Sequence, residues 1–462
     1  MPPLPSCCLA EMSRPSPAAI MRTRNRATKA SGPRRVPCRR LPAVSLCLEE
    51  PTMTTLLPAL DLAQLDALDA RDPLAHKRAE FDLPGDIIYL DGNSLGALPR
   101  RVPARLSQVA TEEWGHHLIR SWTRNAEAAQ DWMALPDRVA AKLAPLLGAG
   151  AHEVAVGDST SVNTFKALAA ALRLSGRRVI LSDADNFPTD LYVAQGLARL
   201  LGDVEVRTAP GDEMTQHFTD DVGVVLLTEV DYRTGRRLDM RAITAAAHAR
   251  GIVTVWDLAH SAGAFAVDLG GAGADFAIGC GYKFLNGGPG APAFLYVAER
   301  HLDRAEVVLS GWMGHADPFE MARAYAPAPG ARRFVVGTPQ VLSLSALDAA
   351  LDVFGDVDLG ALREKSLSLT DTFIRLMEPL AEQYPLELVT PLAHAERGSQ
   401  VSYRHPHAQQ VMAQLIECGI VGDFRTPDIL RFGFTPLYLS HGDVGRAVAG
   451  IAAVLDELEG PA

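Results

Sequence analysis

The run FAIGCGYKFLNGGPG, residues 276–290, sets Lys283 directly after a short apolar stretch and before a cluster of glycines and a proline. Other apolar runs end on equally polar residues: GIVTVWDLAH carries Asp257 and then His260, VGVVLLTEV carries Thr228, and Tyr282 stands beside the lysine. Taken singly, each has a plain structural explanation. Asp257 would cap a turn, His260 would sit satisfied in a core, and the Lys283 stem would pack while its ammonium reaches water. Together they fit one chemistry: an amine for a Schiff base, an acid that keeps a pyridine nitrogen protonated, and hydroxyls and amides for a phosphate. These are the demands of pyridoxal 5'-phosphate on its protein.

On this reading Lys283 bears the cofactor and Asp257 pairs with its ring nitrogen. GDSTSVNTF adds an anion site, because Ser159 and Thr160 precede a helical run whose free N–H groups and macrodipole favour a phosphate. Serine and threonine are also ordinary helix caps in such a segment. In DADNFPTD, Phe187 is suited to lie against the ring face and Asp190 to fix polar substituents, with core packing as the alternative for the phenylalanine.

Elements that would position these residues are visible from about residue 150. RRVILSDAD, DVEVRTA, VGVVLLTEV, GIVTVWDLAH, ADFAIGCGY and AFLYVAE read as strands, while TSVNTFKALAAALRLSG and MRAITAAAHARG have helical periodicity and end at glycine. Strands alternating with helices imply an α/β fold with a mostly parallel sheet, whose ligands sit outside the carboxyl ends of the strands. Beyond about residue 340, LDLGALREKSLSLTDTFIRLMEPLAEQ reads as a long amphipathic helix, and ELVTP, GSQVSYRH, GIVGDFRTP and ILRFGFTPLY follow it. A large domain over 53–335 and a smaller C-terminal α+β domain over 336–462 are expected. No repeat of 20–50 residues is visible.

The first 52 residues differ from the rest, with arginines such as Arg34, Arg35, Arg39 and Arg40 scattered among prolines. LPAVSLCL after two arginines offers a transit or signal segment as an alternative, but the run is short and is followed by Glu49 and Glu50; a segment this rich in Pro and Arg cannot offset its ordering entropy, so it is expected to be disordered or untranslated, with Met53 as the natural start. The chain is 48% hydrophobic and 21% charged, with a formal charge of -11, which argues against a nucleic-acid surface. No apolar run is long enough to span a bilayer, and a cytoplasmic protein is expected. Six cysteines, without a CxxC pair or a histidine at zinc spacing, indicate neither a metal site nor a disulfide framework.

Several blocks then join into one pattern: YLDGNSLGALP (89–99), EWGHHLIRSW (113–122), NFPTD (186–190), WDLAHSAG (256–263), GYKFLNGGPG (281–290), GWMGH (311–315) and LRFGFTPLY (430–438). In order and rough spacing they resemble the kynureninase family, fold-type I pyridoxal phosphate enzymes that hydrolyse kynurenine to anthranilate and alanine. The resemblance runs from about residue 56 to the end. It implies that Lys283 is the Schiff-base lysine, that Asp257 is the pyridine partner, and that Ser159, Thr160, Phe187, Asp190, Thr228 and His260 line the cofactor. It makes Tyr282 a phosphate contact and candidate proton donor. Trp312 and Thr338 would reach the cofactor of a neighbouring subunit, so a homodimer with composite sites is implied. Arg431 looks like the residue that holds the substrate α-carboxylate, with Asn93 and Ser94 near the substrate, and Gly92 and Gly96 serving the turn between them.

Preference between kynurenine and 3-hydroxykynurenine would be set near the aryl ring, with His116, His117 and Trp122 as candidates; the style of EWGHHLIRSW favours plain kynurenine. Another fold-type I enzyme, a desulfurase or small aminotransferase, would share Lys283 and Asp257. A desulfurase needs a cysteine on a mobile loop, a role for which Cys280 and Cys418 are poorly placed. A regulator that keeps the cofactor pocket without turnover would carry a DNA-binding domain, for which the N-terminal segment is too short. A purely structural protein has no reason to gather these polar strand ends.

Overall fold

The computed structural model describes residues 62–85, 87–123 and 131–460. The expected N-terminal extension, its alternative start at Met53 and four of the six cysteines lie outside them. Seven strands form the main sheet: β1 (Val154–Val156), β2 (Val179–Asp183), β3 (Glu205–Ala209), β4 (Val222–Thr228), β5 (Val253–Asp257), β6 (Phe276–Gly279) and β7 (Phe294–Val297). Their order is β1-β7-β6-β5-β4-β2-β3. The contacts among β2 to β6 are parallel, whereas β7 runs antiparallel to both β6 and β1.

A parallel sheet covered on both faces needs apolar residues on both sides of each strand. In β4 every residue of VGVVLLT is buried, and the residues divide by parity: Val225 and Leu227 enter one core, Val224 and Leu226 the other. Helix α1 (Thr160–Ser175) packs on one face through Ala167, Ala169, Ala170 and Ala171, whose small side chains allow close approach to the strands. It starts at the Ser159 cap and stops where Gly176 turns left-handed at φ 69°. Helix α2 (Pro188–Leu201) has proline in its first turn and ends in the same way at Gly202. Helix α3 (Met240–His248) links β4 to β5.

The C-terminal part matches the expected α+β pattern. The long helix α4 (Leu359–Gln383) is capped by Asp358 and precedes a four-stranded antiparallel sheet. Its strands are β8 (Glu387–Leu388), β9 (Gln400–Arg404), β10 (Asp423–Arg425) and β11 (Ile429–Gly433), in the order β8-β9-β11-β10. Helix α5 (His441–Glu459) closes the described chain. The GNSLG turn joins this sheet from the other end of the sequence, because Ile88–Tyr89 pairs in parallel with Ile420–Val421 and Asp91 bridges to Gly433. Both sheets belong to one compact unit. Among the described residues, no helix is long and apolar enough to cross a membrane.

Candidate active site

The carboxyl ends of β4, β5 and β6 and the first turns of α1 and α2 enclose a cavity of about 230 Å³. Eight of the residues expected from the sequence line it: Thr160, Phe187, Asp190, Thr228, Asp257, His260, Tyr282 and Lys283. Each side chain arrives there because its strand or loop ends at that rim, as the crossover topology requires.

At the centre, Lys283 Nζ lies 2.9 Å from His260 Nε2, and His260 Nδ1 lies 2.9 Å from Gln400 Oε1. The Gln400 amide nitrogen is committed to the carbonyls of Asp231 and Tyr232. Its oxygen must therefore accept from Nδ1–H, leaving Nε2 to accept from the lysine. Burial, then the cations Lys283, Arg431 and Arg425, hold the His260 imidazole well below its usual pKa. It is a neutral acceptor, not a cation. Beside it, burial pushes the Tyr282 hydroxyl up to about 12, with the Cys280 thiol and the Asp257 carboxylate adding to the effect.

Asp190 and Asp257 form the deepest part, 2% and 3% exposed. Burial and then the neighbouring Asp257 charge push the Asp190 carboxyl well above the usual carboxylate range, and burial also raises Asp257. Asp257 accepts from the Ala259 N–H at 2.8 Å, whereas Asp190 Oδ2 is buried with no donor. Two adjacent buried carboxyls with an unfilled acceptor call for a protonated nitrogen. At the opposite rim, the start of the 16-residue helix α1 offers its first-turn N–H groups beside Thr160 and Ser161. The turn before it is fixed by buried Lys166, which reaches back to Asp158, a non-glycine residue held at φ 54°. Phe187, 37% exposed within the cavity, meets the Tyr232 ring edge-on at 5.3 Å. An acid pair, a helix terminus and an aromatic face around one lysine fit a phosphorylated pyridine aldehyde. Among the described residues, no group of three His, Cys, Asp or Glu side chains is placed to hold a metal.

A second cluster adjoins this one. Arg431 is 1% exposed; its Nε donates to Asp423 Oδ1 at 2.7 Å and its Nη2 to Ser94 Oγ at 2.8 Å and to Asp423 Oδ2. Its Nη1 donates to the carbonyl of Tyr232, a residue that lines the cavity. Arg425 also donates to Asp423, at 2.6 Å. Arg431 thus sits at the cavity wall with its fork already facing a carboxylate.

The remaining expected residues fall elsewhere. Ser159 acts as the α1 cap, accepting from the Val162 N–H, and is exposed. Asn93 is fully buried against Gly433 and does not line the cavity. Trp312 packs edge-on against Trp122 at 6.2 Å, and Thr338 is exposed on a loop; neither lines this chain's own cavity. His116 is exposed, His117 half-buried, and both are outside it. Gly96 does more than serve its turn: its N–H donates to the Tyr282 carbonyl at 2.8 Å, and a Cβ there would lie 2.3 Å from the Lys283 carbonyl. The sequence reading missed Tyr232, Gln400, Asp423 and Asp91. Tyr232 follows a strand end and was open to the same argument as Thr228; the other three carry no local signal.

The C-terminal part, residues 362–451, matches the family model "Kynureninase C-terminal domain". The chain is 51% identical over 398 residues to a kynureninase of Burkholderia mallei (strain SAVP1), covering 84% of this chain and 94% of that protein. It is 48% identical, over the same shares, to a kynureninase of Pseudomonas fluorescens. Among solved structures it resembles the cysteine desulfurase CsdA of Escherichia coli, with a TM-score of 0.70, 22% identity, and 83% of this chain and 99% of that one covered. It also resembles C-DES with glycine covalently linked to its PLP cofactor, with a TM-score of 0.70, 17% identity, and 81% and 98% covered. These structural likenesses establish the fold, that of the fold-type I pyridoxal phosphate enzymes.

Proposed function

The chain belongs to the kynureninase family, and we infer that it is a pyridoxal phosphate-dependent hydrolase that cleaves L-kynurenine to anthranilate and L-alanine, within tryptophan degradation. The observation that carries this reading is the 51% identity to a curated kynureninase over 84% of the chain. The cysteine desulfurase CsdA and C-DES share the fold, but at 22% and 17% identity, and one fold hosts many reactions, so a desulfurase or aminotransferase is the alternative rather than the reading.

The bound cofactor supplies an electron sink that makes the substrate's α-proton removable and then activates the bond between its β and γ carbons. The protein's own groups divide the remaining work. Asp190 and Asp257 would hold the ring nitrogen protonated, the α1 terminus with Thr160 and Ser161 would take the phosphate, and Phe187 would cover the ring. Lys283 Nζ, held by His260 Nε2, which accepts its hydrogen bond at 2.9 Å, would be the group placed to remove the α-proton. Water adds to the aryl ketone, and as the hydrate collapses to the anthranilate acid the β–γ bond pair passes to the β-carbon, which stays on the alanine fragment and takes its proton from Tyr282, whose hydroxyl stays protonated at neutral pH. Arg431 holds the α-carboxylate, since its planar fork matches that group.

The same reading gives a homodimer in which Trp312 and Thr338 complete the partner's site, supported by their position outside this chain's own cavity. Trp122, in contact with Trp312, then faces the aryl end of that composite site, and plain kynurenine is the preferred substrate. A cytoplasmic location belongs to this reading. The test is a parallel assay of the cofactor-loaded protein with L-kynurenine, 3-hydroxykynurenine and L-cysteine. Turnover highest with L-kynurenine and absent with L-cysteine is expected; sulfur release from cysteine would transfer the protein to the alternative class.

A further inference from the structure

The substrate-carboxylate site carries an unusual charge inventory. Asp91, in the turn after Ile88–Tyr89, lies beside Asp423 of β10, and the two carboxyls share a half-buried space with Arg425 of β10 and the buried Arg431 of β11. Ser94, from the turn that Asp91 begins, donates to Asp423 Oδ2 at 2.6 Å. The other titratable groups around Asp91 are uncharged, and the cavity lysine, Lys283, contacts His260 Nε2 at 2.9 Å. Tyr89 and Tyr438 are hydroxyls that burial pushes further from ionisation, and His260, across the cavity wall, is held neutral. Two guanidiniums therefore face two carboxyls, and with both carboxyls ionised the cluster has no net positive charge to offer.

A substrate α-carboxylate arriving at Arg431 would be a third anion in this space. Burying an uncompensated charge costs several kcal/mol, and a group that can change its protonation does so instead. Asp423 cannot easily be that group, because Arg431, Ser94 and Arg425 all bind it and hold its carboxyl low despite its burial. Asp91 can. Its Oδ1 is buried with no donor, and burial followed by repulsion from Asp423 raises its carboxyl to about 7. We propose that Asp91 takes up one proton as the substrate's carboxylate binds at Arg431, so that the cluster holds the incoming charge while remaining close to neutral. Asp91 is then a positioning residue that acts through Asp423 and Arg431 without touching substrate. The proposal rests on the reading of Arg431 as the carboxylate site.

The sign follows from linkage. The bound state favours protonated Asp91, so affinity is full where Asp91 is already protonated and falls as the pH rises above its free value. Calorimetric titration of the cofactor-loaded protein with L-alanine, between about pH 6 and 9 in two buffers of different ionisation enthalpy, measures both affinity and proton balance. The ratio of wild-type to Asp91→Asn Kd removes the contribution of the ligand's own amine. It should be near one at low pH and rise by up to about tenfold per unit above neutrality, with up to one proton more taken up by wild type. Should Asp91→Asn fold poorly, wild type alone decides. After correction for amine ionisation, L-alanine should draw in a proton that L-alaninamide, which lacks the carboxylate, does not. Parallel pH profiles and equal proton balances, with Arg431→Ala still weakening L-alanine, would overturn the proton coupling alone. Unchanged L-alanine binding in Arg431→Ala would overturn the premise and the proposal with it.

Discussion

Two pairs of neighbouring carboxyls differ in place, Asp190 with Asp257 lining the cavity and Asp91 with Asp423 in the half-buried cluster that adjoins it, and the groups around them make them opposites. The first pair has no guanidinium beside it, and Asp190 keeps an acceptor with no donor. The second is crossed by Arg425 and Arg431. Like charges raise one member of each pair, but what each end lacks is different. The Asp190 end awaits a cationic N–H, as a pyridine ring supplies; the Arg431 end is built to receive an anion. A substrate whose amine takes the place of Lys283 Nζ would have its carboxylate on the Arg431 side, so the polarity of the two pairs would also set its orientation.

The largest effect should come from the group between the pairs. Lys283→Ala should lower turnover by at least about 10³-fold, because it removes both the covalent anchor and the proton carrier, while far-UV circular dichroism stays unchanged. Residual turnover near wild type would place the chemistry on another residue. Next, Asp257→Ala should lower kcat by about 10²-fold or more and weaken cofactor retention, measured by absorbance after dialysis. The corresponding change at the other end, Arg431→Ala, should leave retention intact and raise KM by about 30- to 150-fold, as expected for loss of a charged hydrogen-bonding partner. If the two variants gave the same defect, the division between the ends would fail.

The smallest effect concerns stability. With its folded value raised to about 7, Asp91 favours the fold when protonated, so its contribution is present below the unfolded carboxylate range and is lost as the pH rises towards 7. Asp91→Asn stays neutral throughout. Its Tm relative to wild type should therefore increase between about pH 4 and 7 and level off above, as read by differential scanning calorimetry. A gap that stayed constant would mean that Asp91 remains ionised in the fold.

The two ends also differ in how far the sequence revealed them. Lys283, Asp257, His260 and Thr228 end apolar runs, and the topology of a parallel sheet brings strand ends together, so local pattern was sufficient. The six strands read from the sequence all form. The antiparallel direction of β7 was not legible, because a short apolar run carries no mark of its direction. At the Arg431 end, residues 91–94 are brought to residues 423–431 by the pairing of Ile88–Tyr89 with Ile420–Val421 and by the Asp91–Gly433 bridge. Neither Asp91 nor Asp423 lies in a patterned position, and Gln400, which fixes the His260 tautomer, is one residue in an ordinary strand. Such partners are set by tertiary contact, which a single sequence does not display.

The most direct test of the account is to purify the full chain, record its absorbance, add L-kynurenine, and follow anthranilate fluorescence while alanine is quantified. The expected result is a yellow protein that releases anthranilate and alanine in equal amounts. A yellow protein that releases neither product from L-kynurenine, nor their hydroxylated counterparts from 3-hydroxykynurenine, would keep the fold and Lys283 but contradict the assigned reaction.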